Sequence, residues 1–314
     1  GFVAKTMSKK TAAPPPRPAP PVTSASGSRP GRPTAGRNPK ETGTLMEQIA
    51  KGPIQPLRLG PDSRFQFRCH KDVKCFTQCC RGINIILTPY DIIGLKTRLG
   101  LSSEEFLAVY TELQMLEKTD VPVVTLKLLD EEGAPADRKA CPFVRPEGCI
   151  VYEDRPTSCR YYPLGVASLA FKDDPDGDEF FFMVREAHCL GFEEERSWTV
   201  LEWRQDQGVD VRDRVNAQWA DLIVRKRSFP PNVRWTEQAK QMFFLASYNV
   251  DKFRAFVFES SFLTRYPVEA GKLEALRTDD TALLEFGLGW LKGILFKDKP
   301  PEGTQATEGT AGKE

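Results

Sequence analysis

Histidine is almost missing from this 314-residue chain, which has two, His70 and His188, against eight cysteines. No Ser-His-Asp set, paired-carboxylate motif or phosphate-binding loop is evident. Net charge is just as scarce. The 44 basic and 43 acidic residues leave +1, so whole-chain charge favours neither nucleic acid nor an anionic membrane as partner. Long apolar runs are lacking too. The stretches Met242 to Ala246 and Phe180 to Val184 fall far short of the roughly 20 residues needed to cross a bilayer. No charged start followed by an apolar stretch and a small-residue cleavage site opens the sequence, so a secretory signal is not read and a reducing cytoplasm is the expected location. The 40% apolar content suffices for real cores, in one large domain or two modest ones.

What the chain does have is thiols, crowded together. Residues 69 to 80, CHKDVKCFTQCC, hold four of the eight cysteines. Disulfides, a buried structural cluster and metal ligands compete to explain this. Disulfides rarely persist in a reducing compartment, and a bridge between the neighbours Cys79 and Cys80 would be strained. Ordinary core cysteines are scattered among apolar residues, whereas these sit among His70, Lys71, Asp72, Lys74, Thr77 and Gln78. Metal ligation is the favoured reading.

The spacing narrows the metal. The first group reads C-x5-C-x3-C-C, and a second group supplies Cys141, Cys149, Cys159 and Cys189. Thiolates select soft or borderline metals, so zinc, iron-sulfur and copper(I) come before magnesium or calcium. Only Cys75 and Cys79 have the close spacing usual in a structural zinc turn. Neighbouring residues project their side chains apart, so Cys79 and Cys80 suit two irons of one cluster or two separate ions better than one small ion. The pair Cys141-Pro142 and the remote Cys189 loosely fit an iron-sulfur pattern. Each histidine sits directly beside a cysteine and is worth testing as a ligand. Arg155 and Arg160 flank Cys159, where cations favour the thiolate; pairing with Glu153 and Asp154 is the equal alternative. Phe143, Tyr152, Tyr161 and Tyr162 are expected to shield the site from water.

Residues 1–43 read as a disordered tail. Their basic residues run from Lys5 to Lys40, with no acid among the first 40 positions and a run APPPRPAPP that suits neither helix nor sheet. Residues 44–196 are the expected metal-binding region, 197–299 a helical region, and 300–314 a loose polar end. A short helix is expected over LMEQIAKG and a Pro-broken approach before the first thiols. Thr88-Pro89-Tyr90-Asp91 has the marks of a capping box with proline in the first turn, predicting a helix over 89–99 stopped by Gly100. Ser102 and Glu105 repeat the pattern, predicting a helix over 103–116. INIIL and VPVVTLKLL read as strands, and GVASLAF with EFFFMVRE as a hairpin around DDPDGD. From TVLEWRQDQG onward, apolar residues recur three and four apart. The fold class expected is α+β, a cysteine-rich region of short strands and helices followed by a mostly helical one.

At FRC...CFTQCCRG, LTPYDIIGL, RLGLSSEEFL, CPFVRPEGCIVYEDRPTSCRYYPLG and TVLEWRQDQG, between residues 64 and 207, the chain resembles the bacterial YkgJ-type cysteine-cluster proteins, described as zinc- or iron-chelating. The five and three residues between its first cysteines are wider than that family's usual spacing. The resemblance implies a metal site built from Cys69, Cys75, Cys79, Cys80, Cys141, Cys149 and Cys159, to which Cys189 is added here on its own position. Flagellin lysine methylases carry a similar cysteine motif with an iron-sulfur cluster, so S-adenosylmethionine-dependent lysine methylation is an alternative, although no glycine-rich strand-turn-helix marks that cofactor's place. The third class is a non-catalytic scaffold with structural zinc, acting on a protein partner that the sequence does not name.

Overall fold

The computed structural model describes residues 54–296 except 118, 136–137, 169–178 and 231. The tail 1–43, the helix expected over LMEQIAKG, the turn DDPDGD and the polar end lie outside the described residues. The chain is α+β, with its helices mostly in the C-terminal part. It opens with β1 (Ile54–Leu59) and β2 (Arg64–Gln66), then runs through the first cysteine loop to β3 (Ile86–Leu87). Next come α1 (Pro89–Leu99), α2 (Ser103–Tyr110), β4 (Thr111–Met115) and β5 (Pro122–Leu126). The second cysteine group is carried by the tight hairpin β6 (Val144–Arg145) and β7 (Gly148–Cys149), by α3 (Thr157–Tyr161), and by the loop that follows β8 (Leu164–Ser168) and β9 (Glu179–Val184). After β10 (Ser197–Thr199) the chain is helical: α4 (Val200–Gln207), α5 (Val209–Arg227), α6 (Glu237–Tyr248), α7 (Val250–Glu259), α8 (Phe262–Arg265), α9 (Ala270–Thr278) and α10 (Asp280–Phe296).

Local signals set several of these ends. Asp91 N donates to Thr88 Oγ1 at 3.2 Å and Thr88 N to Asp91 Oδ2 at 3.0 Å, which closes the capping box, and Gly100 ends α1 at φ 68°. The second helix departs from expectation. It stops at Tyr110, and Thr111–Met115 instead pairs along the whole of β5. β5, PVVTL, is buried throughout and lies between β3 and β4; a β-branched strand with an open edge draws an amphiphilic neighbour into its ladder despite that neighbour's helical propensity. The Pro-broken approach before the first thiols is likewise a strand. β1 pairs with β9 at the edge of a sheet ordered β1-β9-β8, and its register shifts between Gln55 and Leu59, the irregular edge position in which a proline is tolerated.

Two cores result. In the larger one, Leu87, Ile92, Leu95, Phe106 and Val124 pack with Phe243, Phe253, Leu284 and Leu288 of the helical part, so strands and helices share one interior. The smaller one gathers Phe65, Phe67, Leu164, Trp198 and Trp203. In it Trp203 meets Phe67 at 5.5 Å and 89° and Trp198 at 5.3 Å and 77°; such edge-to-face pairs add about 0.5–1.5 kcal/mol each beyond burial.

The glycines of the late helices permit a paired prediction. A Cβ on Gly287 would lie 2.7 Å from Phe253 Cε1, and Phe253 is fully buried, held among Phe256, Phe262 and Trp290. Overpacking of about 1–3 kcal/mol outweighs the roughly 1 kcal/mol of helix propensity gained, so Gly287→Ala is expected to lower stability. Nothing lies within 4 Å of a Cβ on Gly271, and Gly271→Ala is expected to raise stability by about 0.4–1 kcal/mol. Urea denaturation midpoints read both, and shifts of the same sign would contradict the packing.

Candidate metal centre

The first cysteine loop is built from consecutive turns. Val73 N reaches His70 O at 3.1 Å, Phe76 N reaches Val73 O at 2.8 Å, Gln78 N reaches Cys75 O at 2.9 Å and Cys80 N reaches Thr77 O at 3.1 Å. Thr77 turns left-handed at φ 66°, a conformation that costs a β-branched residue on the order of 1–3 kcal/mol and is concentrated at functional sites. Arg81 holds that turn by donating to Thr77 O at 3.0 Å, and it forks onto Glu131 at 2.6 and 2.8 Å.

Backbone pairing then carries the distant cysteines to this loop. Cys141 N donates to Cys80 O at 2.8 Å, and Gly82 N donates to Lys139 O at 2.9 Å. Cys149 pairs with Val144 in the β6–β7 hairpin. Gly148, at φ 129°, leaves room for the Phe76 ring, which would meet a Cβ there at 3.3 Å; the first loop thus closes over the hairpin. α3 presents Cys159, and its start is anchored by Thr157 N and Oγ1 on Asp91 Oδ1 at 2.9 and 2.7 Å. On the other side, Arg68 N donates to Gly191 O at 2.9 Å and Leu190 N to Cys75 Sγ at 3.2 Å.

Backbone amides lie near other thiols too and favour their ionised form: those of Phe143 and Val144 at Cys141, of Val151 at Cys149 and of Gly191 at Cys189. Amides aimed at sulfur stabilise the thiolate a metal needs and tune the centre it forms. The Tyr162 hydroxyl is buried without a hydrogen-bond partner and lies near the Cys189 thiol, where it fits as a donor to a ligating sulfur.

Among the described residues, no three His, Cys, Asp or Glu side chains close tightly enough to enclose an ion. The thiols are neighbours all the same, and their ionisation records it. Burial, then Cys79, Cys75 and Cys189, pushes Cys69 up to about 12. Burial, then Cys141, Asp91, Cys149 and Cys79, pushes Cys159 up to about 12. Cys141 rises to about 11, chiefly through burial, and Cys79 rises because the Cys80 thiol bonds to it and because it is buried. Neutral thiols do not draw together, whereas a thiophilic cation displaces their protons and does. The donor set fits iron or zinc. The cysteines would hold the metal, zinc supplying a structural cross-link and an iron-sulfur cluster one-electron redox chemistry.

A pH dependence follows from these thiols. Unfolded thiols ionise near the ordinary 9.0 while Cys69 and Cys159 hold their protons to about 12. The native metal-free state therefore binds more protons between those values, so its stability falls as pH rises from about 9 to about 12. Loading at neutral pH is expected to release about one proton per ligating thiol. Urea midpoints against pH, for stripped and loaded protein, check this; equal slopes above pH 9 would contradict it.

The other expected residues divide. His70 Nε2 bonds Glu194 at 3.0 Å and His188 Nε2 lies 3.2 Å from Glu186, so both imidazoles face carboxylates. Neither arginine beside Cys159 pairs with Glu153 or Asp154 side chains. Arg155 bonds Tyr152 O at 2.7 Å and the Gln207 side chain, with its charge near Cys149. Arg160 donates to Gln207 O at 2.7 Å, Arg155 O at 3.1 Å and Glu153 O, and burial lowers it to about 10. Asp154 is taken by Arg98 at 2.5 Å. Phe143 and Tyr161 are buried as expected, but Tyr152 is 55% exposed beneath the Arg155 guanidinium and shields little. Phe76 and Leu190 act in the site through a ring over a glycine and an amide on a sulfur, neither of which has a residue-type signature.

Residues 68–190 match the family model CxxCxxCC, described as "Putative zinc- or iron-chelating domain". No curated protein and no solved structure matches the chain. No helix among the described residues is long and apolar enough to cross a membrane.

Proposed function

We propose that this chain, carrying a zinc- or iron-chelating domain over residues 68–190, is a metal-thiolate protein whose cysteines hold an iron-sulfur centre in preference to zinc. The observation that carries the reading is the Leu190 amide bonded to Cys75 Sγ at 3.2 Å, with backbone amides near Cys141, Cys149 and Cys189 that favour their thiolates. It is supported by the adjacent pair Cys79-Cys80, whose thiols bond to each other and suit two irons of one cluster or two neighbouring centres. A site closed by sulfur on all sides serves structure or electron transfer, because no coordination position is left for substrate.

Anaerobic purification with metal and sulfide quantification and an absorption spectrum tests this. Visible charge-transfer bands with acid-labile sulfide are expected. Colourless protein containing zinc would replace iron by a structural role, and protein that takes up neither metal even after reconstitution would end the proposal. Calorimetric binding of S-adenosylmethionine to the loaded protein is the result that would turn the reading toward a methylating enzyme.

A further inference from the structure

The fold sorts the thiols by the core they lean on. Cys141, Cys149 and Cys159 pack against the larger core, and Cys189 packs against the smaller one. Backbone bonds extend this sorting to the first loop. Cys80 lies beside Cys141 through the 2.8 Å bond from Cys141 N to Cys80 O. Cys69 and Cys75 lie beside Cys189, through Arg68 N to Gly191 O at 2.9 Å and Leu190 N to Cys75 Sγ at 3.2 Å. We infer that the eight cysteines make two centres rather than one, with Cys69, Cys75 and Cys189 in the first, Cys80, Cys141, Cys149 and Cys159 in the second, and Cys79 at the junction between them. The inference rests on the metal-binding reading above.

The neighbours of Cys79 lie on both sides. It is near Cys69 and Cys189 on one side, and its thiol bonds to that of Cys80 on the other. Its further proximity to Cys159 means that the two centres adjoin. The dipeptide then spans the junction of the two centres, where the Cys79 and Cys80 thiols bond to each other. The second centre has the larger core at its back and the start of α3 anchored to Asp91, while the first is held between the loops at 68–76 and 186–191.

The test compares metal per chain in the full-length protein with Cys189→Ser and Cys149→Ser, each purified anaerobically and reconstituted, with far-UV circular dichroism reporting the fold. Each variant is expected to retain half the metal with the optical signature of the wild type, and the double variant almost none. A folded single variant that loses all its metal, or a wild type that holds one centre only, overturns the division while leaving metal binding intact. Wild type that takes up no metal overturns the metal-binding reading itself. Should a variant fail to fold, graded chelation of the wild type decides: two separable steps of metal loss are expected, and a single all-or-none step overturns the inference.

Discussion

Replacing Asp91 with alanine is expected to destabilise the fold by about 3–5 kcal/mol, the range for removing one partner of a buried ion pair. Asp91 is completely buried and its carboxylate is shared three ways. Oδ2 accepts from Thr88 N and so caps α1. Oδ1 accepts from Thr157 N and Oγ1 at the start of α3, and from Arg212 Nη1 at 2.9 Å on α5. Removing it strands the Arg212 charge, whose side chain is 7% exposed, and leaves three further donors unpaired, each of which costs about 1–3 kcal/mol if water cannot reach it. Urea denaturation measures the loss, and a change below about 1 kcal/mol would contradict this account. Combining Asp91→Ala with Arg212→Met is expected to restore part of the stability, since the uncompensated charge is gone. Because α3 carries Cys159, the single variant should also weaken metal retention, even though Asp91 is not itself a ligand.

The second large effect is expected from stripping the metal. Residues 68–82 bury one apolar side chain between them, Val73, and are tied to the rest of the chain by a few backbone bonds and the Arg81–Glu131 pair, so a shared inorganic centre would supply much of what fastens them. A ligand that binds only the native state stabilises it by about 4 kcal/mol at a thousand times its dissociation constant, and this gain is confined to what the ligand touches. Chelation is therefore expected to lower the melting temperature and to abolish amide-exchange protection over 68–82 and 186–193. α6, α7 and α10, which close the larger core, should keep theirs. Equal protection in loaded and stripped protein over residues 68–82 would mean that the loop stands without metal.

Much of this was legible wherever a local rule decides the outcome. Thr88, Pro89, Asp91 and Gly100 mark both ends of α1 through bonds made within four residues. The apolar spacing of VDVRDRVNAQWADLIVRKR marks α5. The rule fails at TELQM, where the residues have helical propensity but the partner strand β5 prevails. It fails again at α9, whose short, mostly exposed face offers little periodicity. For the site, the thiols and their two groupings could be read from spacing, but what sorts them could not. Cys141 beside Cys80 and Leu190 beside Cys75 are long-range backbone contacts, and a backbone amide looks the same in every sequence. Asp91 is the sharpest case, since its role as a helix cap is local and readable whereas its bond to Arg212 is made 121 residues away.

The antiparallel ladder between β2 and β10, extended by Phe67 N to Arg196 O, also determines when the expense of gathering donors falls due. Bringing Cys75 and Cys189 together in a floppy polymer sacrifices chain freedom worth on the order of 4 kcal/mol. The ladder makes that sacrifice during folding, before any cation arrives. An incoming ion thus encounters a chelator already half assembled, and a synthetic peptide copying residues 69–80 alone should capture it far more weakly.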